Sequence, residues 1–182
     1  MTFPTGDGRI ARLLAPDYLT GLAERPVAEI RAMRAEAEQA ETDLSYLRRL
    51  LQGRVDILRA EQARRRGDGP AGSLVDALPE ILADERVPAH GLGRHASREP
   101  SNVDVHRRYV ESLVSDGDLS DPGGLDEQTL ERVLEVLDRE EVDVSGRRRA
   151  VQGVMDALTE ELGRRYKVGA ADVADLLPAD GE

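Results

Sequence analysis

Five polar residues recur at the same spacing in two parts of the chain. Residues 41–58 read ETDLSYLRRLLQGRVDIL and residues 141–158 read EVDVSGRRRAVQGVMDAL, an offset of 100 residues. Nine of the eighteen aligned positions are identical, and these identities are mostly polar, whereas two similar coiled-coil helices would share mainly apolar residues. The recurring residues follow the pattern E-x3-S-x2-R-x3-Q-x3-D and are Glu41, Ser45, Arg48, Gln52 and Asp56, then Glu141, Ser145, Arg148, Gln152 and Asp156.

These side chains carry the donors and acceptors that a guanine nucleotide needs. Arginine can fork onto O6 and N7 of guanine, and a carboxylate can accept from N1–H and the exocyclic amine. Serine and glutamine supply donors for phosphate or sugar oxygens. Further positive charge lies beside them at Arg49, Arg147 and Arg149. The set suits an anionic guanine nucleotide, and its two copies suit a ligand with two-fold symmetry, or two ligands.

The spacing places each set on one face of a helix. Positions i, i+4, i+7, i+11 and i+15 fall within an arc of about 80°. Each set, here called motif 1 (the five residues from Glu41 to Asp56) and motif 2 (Glu141 to Asp156), therefore forms a polar stripe. Gly53 and Gly153 lie beside the stripes. Because glycine within a helix costs about 1 kcal/mol relative to alanine, its repetition suggests that a ligand approaches the backbone there.

Two proline-free stretches, 27–69 and 123–177, can hold the helices that carry the motifs, because proline breaks a helix interior. Both have apolar residues at heptad spacing, which predicts helices of about 40 residues, or roughly 60 Å. Such helices need a partner in water, so the seams should pair, in either direction. The seam residues are Val27, Ile30, Ala37, Leu44, Leu51, Val55 and Leu58, then Leu130, Leu134, Leu137, Val144, Val151, Met155, Leu158 and Leu162.

The composition excludes several classes of protein. The chain has 182 residues, no cysteine and a net charge of -11, with 34% charged and 3% aromatic residues. The absence of cysteine removes disulfides and thiolate metal sites, and the acidity disfavours DNA and favours a basic partner. No apolar run reaches the roughly 20 residues of a membrane helix. The first residues lack a signal-peptide pattern, so we expect a cytoplasmic protein. The two long helical stretches predict an all-α fold.

We divide the chain into five segments: an N-terminal arm with a short helix (1–26), the first motif helix (27–66), a connecting region (67–124), the second motif helix (125–168) and a C-terminal tail (169–182). The first motif helix should end at its three arginines, with Gly67 following. In the connecting region we predict helices over Ser73–Glu85 and Val103–Ser115, capped by Ser73 and Asn102, and loops over 87–101 and 115–124.

Two other interpretations remain open. An enzyme or metal site could use His90, His95 and His106, but none of them lies in either motif, so solvated loop histidines are the expectation and no enzyme is predicted. A structural coiled coil that binds no nucleotide would display its polar stripes to solvent, with i, i+4 charge pairs. One copy of the motif would favour that interpretation. Two copies that both keep serine and glutamine favour a ligand.

The doubled motif resembles the cyclic-di-GMP signature of the RsiG anti-sigma factors of sporulating actinomycetes, and it is complete in both copies. The resemblance implies a long antiparallel two-helix coiled coil with short accessory helices that binds cyclic-di-GMP, as an intercalated dimer, through the ten motif residues. The loaded protein would sequester a WhiG-type sigma factor and hold back late sporulation genes. Cyclic-di-GMP would be a regulatory ligand, with no catalytic cofactor, no direct DNA binding, no membrane and a monomeric free state.

Overall fold

The structure, a computed structural model, describes residues 7–68, 98–114 and 121–167. These residues form four α-helices, with no strand among them: α1 (Asp7–Leu13), α2 (Val27–Arg66), α3 (Val103–Leu113) and α4 (Glu127–Lys167). Turns of 3-10 helix at Leu22–Glu24 and Pro122–Gly124 come shortly before the two long helices. The predicted all-α fold, with a long antiparallel helix pair and short accessory helices, is confirmed.

Local signals set the ends of the two long helices. At the end of α2, Gly67 adopts a left-handed φ of 81°. Its N–H donates to the carbonyl of Arg64, and the N–H of Asp68 donates to that of Ala63, the Schellman pattern that glycine permits at this position. At the start of α4, Asp126 accepts from the backbone N–H of Thr129 at 2.8 Å. That bond keeps the pKa of the Asp126 carboxyl below its ordinary value.

The apolar seams form the core of the long helices, as predicted. Of the fifteen seam residues, only Val27 and Met155 are half-buried rather than buried. Burying one large aliphatic side chain stabilises the fold by roughly 1.5–3 kcal/mol, so the seams account for why the long helices pair. Further buried apolar residues on the same two helices are Met33, Ala40, Leu47, Val133 and Val154.

The chain divides into two compact units, and the division crosses both long helices. Among the described residues, unit 1 contains 42–68, 98–114 and 121–147, and unit 2 contains 7–41 and 148–167. In each unit, successive positions on α2 contact earlier positions on α4, so the two segments run antiparallel. The contacts in unit 1 are Gln52–Glu141, Arg59–Asp138 and Arg65–Glu127, and those in unit 2 are Arg31–Tyr166, Arg34–Thr159 and Glu41–Arg148. The heptad spacing alone left the direction of pairing open, whereas the family resemblance implied antiparallel helices, and the contacts within each unit agree with the resemblance.

Helix α3 belongs to unit 1, where it is tied to α2 and α4. Asp43, buried in α2, accepts from the backbone N–H and the hydroxyl of Ser101, both at 2.6 Å. The Tyr109 hydroxyl donates to Glu140 on α4. Burial, followed by that hydrogen bond, raises the pKa of Tyr109 above its ordinary value.

Two expectations about α3 were wrong. Asn102 precedes the helix in a left-handed conformation, with φ at 56°, and its side chain makes no capping hydrogen bond, because Asp43 instead anchors the chain at Ser101. His106 is not a solvated loop histidine. It lies in α3, only 2% exposed, with its ring edge-on to Tyr46 at 5.8 Å between centroids.

The remaining predictions concern elements other than α3. In unit 2, α1 is the short helix expected in the N-terminal arm, and it buries Ile10 and Leu13. The predicted loop 115–124 contains the Pro122–Gly124 turn, while 115–120 are not described. The expected helix Ser73–Glu85, His90, His95 and the tail 169–182 also lie outside the described residues.

Candidate functional site

In unit 1, the carboxylate of motif 2 meets the arginine and glutamine of motif 1. One oxygen of Glu141 accepts from the Ser145 hydroxyl at 2.9 Å and from the Gln52 amide at 3.4 Å. The Arg48 guanidinium lies 3.8 Å from the same oxygen. Three kinds of polar group from two helices therefore converge on one carboxylate oxygen.

Unit 2 contains the same arrangement with the motifs exchanged. One oxygen of Glu41 in motif 1 accepts from the Arg148 guanidinium and from the Gln152 amide, each at 3.1 Å. Each unit thus pairs the glutamate of one motif with the arginine and glutamine of the other.

The protein alone does not satisfy every polar atom of these two sets. The Nε atoms of Arg48 and Arg148 and the Oε1 atom of Gln52 are shielded from solvent and have no hydrogen-bond partner. Buried polar atoms without partners are uncommon and destabilising. Side chains this incompletely paired can exchange their present partners for a ligand at low cost, and three of the ten motif residues have such an atom.

Unit 1 has an open groove of about 490 Å³ next to its motif residues. It combines acceptors, one guanidinium and apolar surface. Val142 is 69% exposed and is the only large hydrophobic side chain exposed to this extent in the part of the chain that the structure describes. The groove is lined by Gln52, Val55, Asp56, Arg59, Asp138, Glu141 and Val142.

The sequence model of the RsiG-like family matches residues 16–82 and 116–180, so that each matched segment contains one motif. The chain belongs to the RsiG-like family. This membership indicates a regulatory protein with an anti-sigma role, and hence a sigma factor as its partner. No curated protein matches the chain.

The remaining motif positions of this RsiG-like protein differ in their surroundings. Ser45 and Asp56 are half-buried, whereas Asp156 is exposed. A Cβ atom added at Gly153 would meet no atom within 4 Å beyond its own helix backbone and chain neighbours. The packing of the protein therefore does not require glycine at 153, which leaves room beside motif 2 for a ligand.

A second repeated pattern, E-x2-R-R, lies beyond the motifs at residues 61–65 and 161–165. It was not predicted, because the two repeats were compared only over residues 41–58 and 141–158. In unit 1, buried Glu61 accepts from Arg64 and Arg65. These hydrogen bonds lower the pKa of Glu61 to about 2, and the bond from Arg64 has the largest effect. Burial acts in the opposite direction and raises the pKa. Arg65 also donates to the carbonyls of Pro122 and Gly123 in the turn before α4, at 3.1 and 3.4 Å.

The matching arginine in unit 2 binds the matching turn. Arg165 pairs with Glu161 and donates to the carbonyls of Leu22, Ala23 and Arg25, in and next to the turn before α2. In both units, an arginine near the end of one long helix therefore holds the turn that precedes the other. The offset of 100 residues would have revealed the pattern had the alignment continued past Leu158.

Two further observations concern other kinds of site. None of the described helices has a stretch long and apolar enough to cross a membrane. Within residues 7–68, 98–114 and 121–167, no three His, Asp or Glu side chains are grouped so that they could hold a metal ion.

Proposed function

We propose that this RsiG-like protein is an anti-sigma factor whose two motifs bind cyclic-di-GMP and which, once loaded, sequesters a WhiG-type sigma factor. The observation that carries the proposal is the reciprocal pairing of glutamate with arginine and glutamine. It occurs once in each unit, on residues 100 positions apart. The expected effect in the cell is that late sporulation genes stay off while the nucleotide is abundant.

The chemistry of each set supports guanine as the recognised base. In unit 1, Arg48 has an unpaired Nε and can turn its fork toward O6 and N7. The carboxylates of Glu141 and Asp56 can accept from N1–H and the amine, and Val142 offers apolar surface to the base. In unit 2, Arg148, Gln152 and Glu41 supply the same groups. Cyclic-di-GMP has two guanines, and an intercalated dimer has four.

Charge supports a sigma factor as the partner of the loaded protein. The chain has a net charge of -11, and a sigma factor is basic where it meets DNA and polymerase, so the charges are complementary. If sigma contacts the bound nucleotide as well as the protein, ligand and sigma bind cooperatively, each increasing the affinity of the other. The nucleotide is bound and released without chemical change, so the proposal requires no catalytic group.

A nucleotide-independent structural role is the second candidate. One observation favours it: the Arg48–Glu141 and Arg148–Glu41 pairs connect the two long helices within their units, as ion pairs of an ordinary coiled coil do. Against it stand the unpaired Nε atoms of both arginines, because pairing with glutamate leaves these two shielded donors unsatisfied and a ligand could accept from them.

Gel filtration of the chain with a WhiG-type sigma factor, with and without cyclic-di-GMP, tests the proposal. We expect a stable complex only when the nucleotide is present, and none with the Arg48→Ala/Arg148→Ala variant. The Arg66→Ala variant changes an exposed arginine outside both motifs and should behave as the wild type. Equal complex formation in all samples would support the structural role and overturn the nucleotide-dependent one.

A further inference from the structure

Arg59 and Asp138 form an exposed ion pair at the edge of the groove in unit 1. One guanidinium nitrogen of Arg59 lies 2.9 Å from each oxygen of Asp138. The two side chains are 58% and 44% exposed. Ion pairs with this exposure contribute little to folding, so holding α2 against α4 is a weak explanation for the pair.

The position of Arg59 points to a role with a ligand. It lies one helical turn beyond Asp56 of motif 1, and both line the groove together with Gln52 and Glu141. The other charged residues of the lining are the carboxylates Asp56, Asp138 and Glu141, so Arg59 is the only cation among the lining residues. A nucleotide whose base enters this groove brings a phosphodiester anion, and three carboxylates repel that anion unless a cation is close.

We propose that Arg59 is an additional nucleotide-binding residue, which leaves Asp138 and contacts the phosphodiester when the ligand binds. This inference rests on the proposed function of the motifs. Asp138 then acts as an internal competitor that occupies the Arg59 guanidinium in the free protein. Arginine suits the exchange because its guanidinium can donate hydrogen bonds to a carboxylate or to a phosphate.

Unit 2 has no equivalent of this pair. The positions 100 residues away from Arg59 and Asp138 are Thr159 and Glu38. The Thr159 hydroxyl accepts from Arg34 at 3.0 Å and donates to the carbonyl of Met155, and Arg34 also pairs with Glu38 at 2.8 Å. In unit 2 the guanidinium beside these two positions is therefore that of Arg34, which comes from a different place in the sequence, and the proposal concerns Arg59 in unit 1 alone.

Calorimetric titration with cyclic-di-GMP at low salt tests the exchange, because the two single variants of the pair are expected to change the affinity in opposite directions. Arg59→Ala should weaken binding roughly tenfold, the loss of one charge-assisted contact. Asp138→Asn should tighten binding several-fold, since it removes the competitor. In the double variant, Asp138→Asn should improve binding much less than it does when Arg59 is present, because only the repulsion by the carboxylate is then removed and no guanidinium is released. In 0.5 M salt the differences should shrink.

Matched controls separate this effect from general charge and stability changes. Arg66→Ala and Glu135→Gln make the same changes of charge at exposed positions outside the groove and should leave affinity within about twofold. Unchanged affinity for Arg59→Ala, or weaker binding by Asp138→Asn with unaltered thermal unfolding, would overturn the inference while the motif site stands. Failure of the wild type to bind cyclic-di-GMP would instead refute the proposed function.

Discussion

The carboxylate of Glu41 lies 3.1 Å from the guanidinium of Arg148, although 107 residues separate the two in sequence. Their side chains are 21% and 27% exposed. An ion pair near the surface contributes about 0–1 kcal/mol to stability, so this pair contributes little to holding the two helices together. It does hold a carboxylate and a guanidinium side by side, which is the pair of groups that guanine recognition uses.

Exchanging the charges of this pair separates a structural role from a ligand-binding one. Arg148→Glu places two carboxylates together and should lower the free energy of unfolding by about 1 kcal/mol. Adding Glu41→Arg restores opposite charges and should recover that loss. Cyclic-di-GMP binding should not recover, because the guanidinium and carboxylate have changed places relative to Gln152. Urea unfolding and calorimetry measure the two effects, and recovery of both would favour the structural role.

Replacing Gly153 tests whether a ligand approaches the backbone of α4. Since a Cβ atom there meets open space, Gly153→Ala should raise the free energy of unfolding by roughly 0.5–1 kcal/mol through helix propensity. Binding of cyclic-di-GMP should weaken if the nucleotide packs on this face. Gly163→Ala is the matched control, because its Cβ also meets open space and it lies outside motif 2. Equal affinities for the two variants would contradict close approach at Gly153.

Glu61 should make stability dependent on pH in the acid range. Its folded pKa of about 2 is below the ordinary 4.5, so its contribution is fully present above pH 4.5 and is lost as the pH falls toward 2. Glu61→Gln should cost on the order of 1–3 kcal/mol at pH 7, because a buried charged hydrogen bond is lost. The difference from wild type should close near pH 2. Urea unfolding at pH 7, 4 and 2.5 checks this, with exposed Glu135→Gln as the control, and a difference that stays constant with pH would contradict it.

Arg165 should hold the turn before α2 in place. It is 11% exposed and donates to three carbonyls. Arg165→Lys keeps the charge but not the fork, so we expect a loss on the order of 1–3 kcal/mol. Amide hydrogen exchange over residues 22–25 should become faster, while Gly123 and Gly124 in the other turn should keep their wild-type rates. An unchanged exchange rate at 22–25 would show that the carbonyl contacts do not restrain the turn.

The long helices were predictable because they follow from local rules. Proline-free stretches and heptad seams predicted α2 and α4, and Gly67 marked the end of α2. The pairing of Glu41 with Arg148 was not predictable from spacing, which left the direction of the helices open. It became an expectation only through the resemblance of the motifs to a known family.

The errors lie where tertiary contacts override local preference. Asn102 looked like a cap, but the buried carboxylate of Asp43 holds the preceding Ser101 and fixes the entry into α3 differently. His106 sits in a polar, histidine-containing stretch, and no local signal shows that Tyr46 covers it. The bonds from Arg65 and Arg165 to turn carbonyls go to groups that every residue has, so their partners could not be identified from sequence.

The central claim is that the two motifs together bind cyclic-di-GMP, and equilibrium titration measures it most directly. Calorimetry of the wild-type chain against cyclic-di-GMP should show saturable binding, which the Arg48→Ala/Arg148→Ala variant should lose and the Arg66→Ala variant should keep. Circular dichroism should confirm equal helix content in all three. No heat of binding for a folded wild-type chain, or equal affinity for the double motif variant, would contradict the account.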